Sequence, residues 1–386
     1  MKFDTKPVWV ADQHSLKSLV ADLAAQPIIA VDTESNSLFV YYEQVCLIQF
    51  STPQRDYLVD PLAIEDLSPL GVIFIDPAIE KVFHAAEYDL ICLQRDFGFQ
   101  FNNIFDTMIG ARTLGWRQTG LGNLLKEHFD ISVNKKYQRA NWGKRPLDPE
   151  QLDYARTDTH FLIDLRHIIH DQLVETCRWD LALEQFRHAA VVTIPNNNDP
   201  ILSCWRSCKQ RDFDERQKTV LYELCRYREE FAQRIDRPPF KVLSKDNLVS
   251  VARACPTNMG ELRSQTNLSG RNFDRHAAGL LHAVKQGLNR SPFHDHHHRP
   301  NYDEGFQNNL EALREWRKQQ AQALNVESDV ILDRETMEKI AHSNPSTPEK
   351  LQALLNKMPE RWDQFGTEIF TVLSVTQVKN NHHKGK

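Results

Sequence analysis

The sequence lacks long apolar runs and CxxC cysteine pairs, and its opening residues do not have the pattern of a secretion leader. No apolar stretch among its 386 residues approaches the length of about 18 that a membrane helix needs, so we expect no membrane span. The opening MKFDTKPVWV does not place an apolar segment after basic residues, which predicts that it is not a signal peptide. Seven cysteines are scattered without a CxxC pair, which argues against a disulfide framework and favours the reducing cytoplasm.

The composition that remains is typical of a soluble protein with more than one domain. Hydrophobic residues make up 41% and charged residues 26%, and the length predicts about two or three domains. The net charge of −5 is uneven, because residues 1–210 carry −8 and residues 211–290 carry +5. An acidic first half before a basic segment fits a carboxylate-built metal site followed by a phosphate-attracting module, although ordinary surface charge gives the same asymmetry.

Strand-like and helix-like patterns alternate through residues 1–190, which predicts an α/β domain there. The strand candidates are IIAVDTES, VCLIQFST, RDYLVD and KVFHA, and helical periodicity marks LICLQRDFG and PEQLDYARTDTHFLIDLRHIIHDQL. The first three strands follow one another closely, which indicates an antiparallel meander. The segment TIPNNNDPILS has no period and predicts a linker over 191–210.

An internal repeat follows the linker. The segment 227–233 (YREEFAQ) matches 316–322 (WRKQQAQ), and further matching positions keep the same offset of 89 residues without a gap. This constancy predicts two copies of one helical domain, over 211–290 and 306–376. We expect a disordered tail over 377–386.

A histidine cluster, HDHHHRP, lies in the segment between the two copies, a His-rich linker over 291–305. Four histidines in five residues suggest a metal site. The cluster is flanked by Pro292 and Pro300 and has no helical spacing to direct the imidazole rings. A solvated linker is therefore the preferred interpretation.

Four carboxylates and one tyrosine form the pattern that carries chemistry. Asp32 and Glu34 are two apart at the end of an apolar strand, so they point to one face, where their repulsion calls for a cation. Asp89 opens a helix, and Tyr154 and Asp158 lie one turn apart on another. Each motif alone has an ordinary explanation, such as a turn or a helix start; together they predict a metal site.

The order VDTE, HAAEYD and YARTD resembles the three exonuclease motifs of the DEDD superfamily, whose DEDDy branch has a tyrosine four residues before the last aspartate. The stretch KKYQRANWGKRPLDPEQLDYARTDTHFL resembles ribonuclease D and the eukaryotic exosome-associated exonuclease, and the repeat resembles the HRDC domain. Two HRDC copies after the nuclease are the architecture of bacterial ribonuclease D. The resemblance implies a ribonuclease H-like exonuclease domain, with a mixed sheet flanked by helices, followed by two all-α HRDC bundles.

The resemblance also implies a two-metal-ion 3′→5′ exoribonuclease that releases nucleoside 5′-monophosphates. The two divalent cations would be Mg²⁺ or Mn²⁺, since the ligands are all oxygen. Asp32 would bridge both ions, Glu34 and Asp158 would complete the first site, and Asp89 would hold the second ion. Tyr154 would orient the attacking water.

The expected partner is RNA with a free 3′ end, with tRNA precursors implied by the family, bound by a cytoplasmic monomer. Candidate contacts to the last nucleotides are His84, Tyr137, Gln138, Trp142 and Arg145. Packing is an even alternative for Trp142, and a hydrogen bond to the backbone at the strand end is an equal alternative for His84. The run Leu38–Phe39–Val40 is a candidate wedge beside the terminal bases, or else a hydrophobic hairpin tip. Asp106 recurs in the family near the active site, where we expect it to support the carboxylates at most.

Two other functions compete with this prediction. A DNA 3′→5′ exonuclease would use the same site, because the carboxylates and metals act on the phosphate and not on the sugar. A non-catalytic nucleic-acid adaptor on the same fold would have lost at least one carboxylate, whereas this sequence keeps all four together with the tyrosine.

Overall fold

The structure, a computed structural model, describes residues 5–194, 199–295 and 304–384. It divides into two units, each considered by itself. The first comprises Met1–Glu34, Val45–Ile194 and Pro300–Lys386, and the second comprises Ser35–Gln44 and Pro195–Arg299. Among the described residues, no helix combines the length and the apolarity needed to cross a membrane.

A six-stranded mixed sheet forms the centre of the nuclease domain, as predicted. The strands are β1 (Val8–Val10), β2 (Ile28–Ser35), β3 (Val45–Ser51), β4 (Asp56–Val59), β5 (Glu80–Phe83) and β6 (Ile104–Asp106), in the order β1-β4-β3-β2-β5-β6. Strands β3 and β4 pair antiparallel, whereas β1 with β4, β2 with β5 and β5 with β6 pair parallel. Strand β3 is buried along its whole length, which explains its nearly continuous apolar sequence.

Eight helices accompany the sheet in the part of this domain that the structure describes. They are α1 (Gln13–Ala24), α2 (Gly71–Ile75), α3 (Glu87–Phe97), α4 (Thr107–Leu114), α5 (Leu121–Phe129), α6 (Pro149–His160), α7 (Leu162–Glu175) and α8 (Trp179–Ala189). The long amphipathic stretch that starts at Pro149 forms two helices, because α6 ends at His160 and α7 begins at Leu162. Helix α6 starts with a capping box between Asp148 and Gln151, which fixes its first turn.

The predicted helical repeat is confirmed in the backbone. The first copy contains α10 (Glu215–Arg234), α11 (Pro239–Val242), α12 (Lys245–Ala254), α13 (Met259–Ser264) and α14 (Gly270–Asn289). The second contains α15 (Glu304–Leu324), α16 (Ser328–Ile331), α17 (Arg334–Ser343), α18 (Pro348–Leu354) and α19 (Pro359–Lys384). The left-handed residues recur at the same offset, since Asp236 corresponds to Asn325 and Cys255 to Asn344. The sequence repeat therefore corresponds to a structural repeat that includes the turns between the helices.

Two predicted boundaries are wrong. The span 191–210 is not all linker, because it contains α9 (Pro200–Ser207), whose Cys204 and Trp205 are buried in the core of the first bundle. The expected disordered tail is helical over residues 377–384, as the backbone of α19 continues to Lys384. Of the histidine cluster only His294 belongs to the described residues, where its Nδ1 lies 3.4 Å from Glu215 Oε2.

The expectation of no disulfide is also wrong. Cys204 on α9 and Cys225 on α10 form a disulfide, and Cys208 lies beside them with its sulfur within 4.8 Å of theirs. All three are buried, and burial raises the pKa of the Cys208 thiol. Cys204 and Cys208 both pack in the core of the first bundle, and Cys204 is also cross-linked there.

The second helical bundle packs against the nuclease helices within the first unit. Glu184 on α8 and Arg361 on α19 form a buried ion pair, and Glu184 also accepts the backbone N–H of Glu360 at 2.9 Å. Asp329 receives two hydrogen bonds of 2.7 and 2.6 Å from Arg112 on α4. These contacts join the second repeat to the nuclease domain through charged groups that local sequence patterns do not identify.

The first helical bundle holds the segment 35–44 within the second unit. The carboxylate of Asp236 accepts the backbone N–H of Tyr41 at 2.8 Å and that of Tyr42 at 3.4 Å. Lys241 Nζ lies 4.1 Å from the centre of the Phe39 ring, in cation–π contact. The predicted wedge Leu38–Phe39–Val40 thus belongs to a segment that is tied down by side chains of the first repeat.

We expect Asp236→Gly to release this segment while leaving the bundle folded. Glycine accepts the left-handed backbone at this position, where φ is 46°, but it has no acceptor for the two N–H groups. Losing hydrogen bonds to a charged acceptor costs about 1.5–3 kcal/mol, so the amides of Tyr41 and Tyr42 should exchange roughly ten times faster or more. Hydrogen exchange measures this directly. Asp236→Asn, which keeps an acceptor and the residue type found at Asn325, should retain protection, and equal protection in the glycine variant would contradict the assignment.

Candidate active site

Three carboxylates meet where β2 ends against α6. Oxygen atoms of Asp32, Glu34 and Asp158 all lie within 4.8 Å of one another. The two residues of β2 share one face by strand alternation, and the buried run before them holds the strand in the sheet. This geometry agrees with the predicted pairing of the VDTE and YARTD motifs.

The fourth carboxylate, Asp89, enters from the first turn of α3. It is 8% exposed, and the hydroxyl of Thr33 donates a hydrogen bond to its Oδ1. Thr33 lies between the two carboxylates of β2, so this bond links Asp89 to the same strand end. Asp89 also lies close enough to raise the pKa of Asp32, of Glu34 and of Asp158.

The pKa of each of the four carboxylates is raised above its ordinary value. Burial raises the pKa of Asp32 and of Glu34 well above the ordinary range, and the neighbouring carboxylates raise it further. Burial also raises the pKa of Asp89 and of Asp158 to about 7. Desolvated charges of one sign are costly to hold together without a cation. The donors are all oxygen, which suits a hard divalent cation, so the residues present fit a metal site.

In metal-free buffer we expect the protein to be less stable at pH 8 than at pH 6. The pKa of Asp89 and of Asp158 is about 7 in the fold, against 3.8 for an unperturbed aspartate. The folded state therefore holds protons that the unfolded state has lost, and this stabilisation disappears as the pH rises through 7. With chelator present, Tm should fall by several degrees between pH 6 and pH 8, and saturating Mg²⁺ or Mn²⁺ should remove the difference. A higher Tm at pH 8 in chelator would contradict the assignment.

Tyr154 lies one turn before Asp158 on α6, as predicted, and its hydroxyl is hydrogen-bonded to the Asp158 carboxylate. Burial, and next the negative charge of Asp158, raise the pKa of the Tyr154 phenol. The ring packs between Trp142 and Tyr137, each with a centroid distance of 6.1 Å. A phenol that keeps its proton is a hydrogen-bond donor at neutral pH, which fits the orienting role and not that of a base.

Two of the RNA-contact candidates have structural roles, and for Trp142 packing was the alternative interpretation. Trp142 is 1% exposed, so its ring face is not available for stacking on a base. Arg145 uses all five of its N–H groups inside the protein, since it donates to Asp60, to the backbone oxygens of Trp142 and Lys144, and to that of Cys46. These hydrogen bonds hold the loop that carries Trp142 against the sheet, and they leave Arg145 no N–H group to donate to a phosphate.

The other three RNA-contact candidates stay predictions. His84 is half-buried, and its Nδ1 lies 2.9 Å from the Thr107 hydroxyl. Because that hydroxyl donates its proton to a backbone oxygen, it accepts from His84, so Nδ1 is the protonated nitrogen. Burial lowers the pKa of His84, which keeps it neutral. Tyr137 is half-buried and donates to Glu150 Oε2 at 2.5 Å, and Gln138 is exposed.

Asp106 stabilises the backbone next to the site, which fits the supporting role expected from the sequence. Its carboxylate accepts the backbone N–H groups of Ala85 and Ala86 at 3.0 and 2.8 Å, and it also caps α4. Ala85 has a left-handed backbone with φ 60°, so Asp106 holds the turn that starts α3 and carries Asp89.

Sequence reasoning missed Gln49 on β3. Its side chain is fully buried, and Nε2 donates to Asp32 Oδ2 at 3.2 Å. A polar residue inside the apolar run VCLIQFS is the signal that identifies it, because a buried amide needs a polar partner.

Comparison with known proteins agrees with this geometry. A family model described as a 3′-5′ exonuclease matches residues 7–174, which include the four carboxylates and Tyr154. The HRDC domain matches residues 217–284 and again 306–373. Both predicted domain types are therefore present in the predicted order.

Individual relatives span the nuclease domain and the helical region. Exosome complex exonuclease RRP6 of Saccharomyces cerevisiae is 32% identical over 300 residues, which cover 74% of this chain and 41% of that protein. Ribonuclease D of Gluconacetobacter diazotrophicus is 30% identical over 283 residues, which cover 72% of this chain and 71% of the relative. The structure of Escherichia coli RNase D, described as an exoribonuclease involved in structured RNA processing, has a TM-score of 0.63 and 25% identity, covering 92% and 100% of the two chains. The chain spans less than half the length of the eukaryotic relatives that it matches.

Proposed function

Because the chain belongs to the ribonuclease D family, we propose that it is a 3′→5′ exoribonuclease that releases nucleoside 5′-monophosphates from RNA with a free 3′ end. The observation that carries this proposal is the convergence of Asp32, Glu34 and Asp158 within 4.8 Å, with Asp89 tied to the same strand through Thr33. An oxygen-only site of this kind suits a hydrolase that uses two divalent cations to cleave a phosphodiester.

Two divalent cations, Mg²⁺ or Mn²⁺, are the proposed cofactors. When bound, they supply positive charge for the crowded phosphate and lower the pKa of water. Asp32, Glu34 and Asp158 would hold one ion together, with Asp89 directed to the other. The Tyr154 phenol would donate a hydrogen bond that orients the nucleophile, since the raised pKa keeps it protonated.

Structured RNA, and tRNA precursors in particular, is the proposed substrate class. The support is likeness to Escherichia coli RNase D, which is described as acting in structured RNA processing. We also propose that the protein acts in the cytoplasm as a monomer. The support for the monomer is that one chain supplies all four carboxylates, so the site needs no second copy. Light scattering with and without RNA tests the oligomeric state.

The decisive experiment compares matched RNA and DNA oligonucleotides, labelled at the 5′ end, with Mg²⁺, Mn²⁺ or chelator. We expect stepwise shortening from the 3′ end of RNA, mononucleotide products and no turnover with chelator. Equal or faster degradation of DNA would favour the DNA exonuclease. Binding of RNA without shortening under any metal condition would favour a non-catalytic adaptor and overturn the proposal. A 3′-extended tRNA beside an unstructured RNA of the same length then tests the substrate class.

A further inference from the structure

Helix α6 has a second polar face, directed away from the carboxylate site. Tyr154 and Asp158 lie on one side of it, whereas Arg156 and Thr159 are 1% and 0% exposed and meet the sheet. A helix packed on strands normally buries apolar side chains. Charged and hydroxyl groups at these positions therefore need a specific explanation.

Side chains of α6 bind Asp56, the first residue of β4. Its Oδ2 accepts Arg156 Nε at 2.9 Å together with an Nη2 hydrogen bond, and its Oδ1 accepts the Ser51 hydroxyl at 2.7 Å. His160 Nδ1 lies 2.9 and 3.0 Å from the two oxygens. The hydroxyl oxygens of Ser51 and Thr159 are 2.8 Å apart. We call these five residues (Ser51, Asp56, Arg156, Thr159 and His160) the Asp56 anchor.

Stability alone does not explain the anchor. Replacing a buried ion pair by well-packed apolar residues is often neutral or stabilising, because both charges lose hydration. Directional bonds can fix the rotation and the axial position of a helix more strictly than apolar packing alone. A slip of one residue along α6 would turn its side chains by about 100° and move them about 1.5 Å, which would remove Asp158 from its partners.

The anchor and the carboxylate site share strand β3. Gln49 and Ser51 are two apart, so their side chains project from the same face of the strand. Gln49 donates to Asp32, and Ser51 is bonded to Asp56 on the anchor. One strand thus connects the β2 carboxylates to the helix that carries Asp158.

We propose that Asp56 is a positioning residue of the metal site: through Arg156 and Ser51 it sets the register of α6, so that Asp158 meets Asp32 and Glu34. The proposal rests on the proposed function, because it assigns the anchor a role in holding the same cations. It predicts that loss of the anchor weakens cation binding and turnover without unfolding the protein.

The test replaces the ion pair as a pair in the full chain. In Asp56→Leu with Arg156→Met no charge is left unpaired, so we expect the circular dichroism spectrum and Tm to be maintained. Mn²⁺ affinity, measured by calorimetry without RNA, should fall by about 10- to 100-fold, the usual effect of a group that orients a metal ligand. On a short RNA, kcat should fall and KM should stay nearly constant.

The chain offers a matched control, Glu184→Leu with Arg361→Met. This pair is equally buried, with side chains 2% and 4% exposed, but it lies on α8 and α19. It should leave Mn²⁺ affinity unchanged. Unchanged Mn²⁺ affinity in the anchor variant would overturn the positioning role, as would an equal loss in the control.

A milder variant covers the case in which the double replacement does not fold. Ser51→Ala with Thr159→Val keeps the ion pair and removes the hydroxyl contact between β3 and α6 together with the Ser51 hydrogen bond to Asp56. It should lower Mn²⁺ affinity in the same direction by a smaller factor, and wild-type affinity would overturn the proposal. If the wild-type protein itself neither binds Mn²⁺ nor shortens RNA, the proposed function fails; if wild type is active and both anchor variants match it, only the anchor role fails.

Discussion

Asp32→Asn is expected to abolish exonuclease activity and, in the absence of metal, to raise Tm. Asp32 is hydrogen-bonded to Gln49, and burial, followed by the charges of the neighbouring carboxylates, raises its pKa. The neutral amide relieves that repulsion but removes the central anionic ligand. We expect kcat on RNA to fall roughly 1000-fold or more, which corresponds to about 4 kcal/mol of lost transition-state stabilisation.

The opposite signs of the two effects make this prediction specific. A residue that only supports the fold would lose stability and activity together, whereas a functional carboxylate costs stability in the metal-free state. Tm should rise by a few degrees in chelator, and the stabilisation gained from Mn²⁺ should shrink. Asp153→Asn is the control, since Asp153 is an exposed aspartate on α6 that is not one of the four carboxylates of the site. A variant of Asp32 that keeps a tenth of wild-type kcat would contradict the assignment.

Local periodicity explains why the carboxylates were predictable. Strand alternation places Asp32 and Glu34 on one face, and helical spacing places Tyr154 one turn from Asp158. The helical repeat was predictable for a similar reason, because a constant offset needs no knowledge of the tertiary fold. Each of these signals uses only positions that are close in sequence or aligned by repetition.

The partners that hold the site in place were not predictable, because they are distant in sequence. Arg156 is 100 residues from Asp56, and Arg145 is 85 residues from Asp60. An arginine in a loop has the same sequence pattern whether it binds phosphate or clamps the backbone. The sequence left packing and base stacking as equal alternatives for Trp142, and the contacts of Arg145 with this loop accompany its burial. Long-range ion pairs leave no period, so only the fold identifies them.

Tyr154→Phe is expected to lower kcat with little change in KM or in Mn²⁺ affinity. The substitution keeps the ring that packs against Trp142 and removes only the hydroxyl bonded to Asp158. Loss of one well-placed donor in an active site costs about 100- to 1000-fold in rate. Single-turnover cleavage of a short RNA measures this loss separately from product release.

The control and the pH profile decide what the hydroxyl does. Tyr57→Phe removes a hydroxyl that donates to Asp22 on α1 and belongs to no part of the proposed site, so it should change kcat by less than about threefold. Burial and Asp158 raise the pKa of Tyr154, so its phenol stays protonated through the working pH range and contributes no limb to the pH–rate profile. The Phe variant should therefore show a lower profile of the same shape. A limb that disappears in the variant would mean that Tyr154 ionises during turnover and acts as a base, in which case the orienting role assigned to it is wrong.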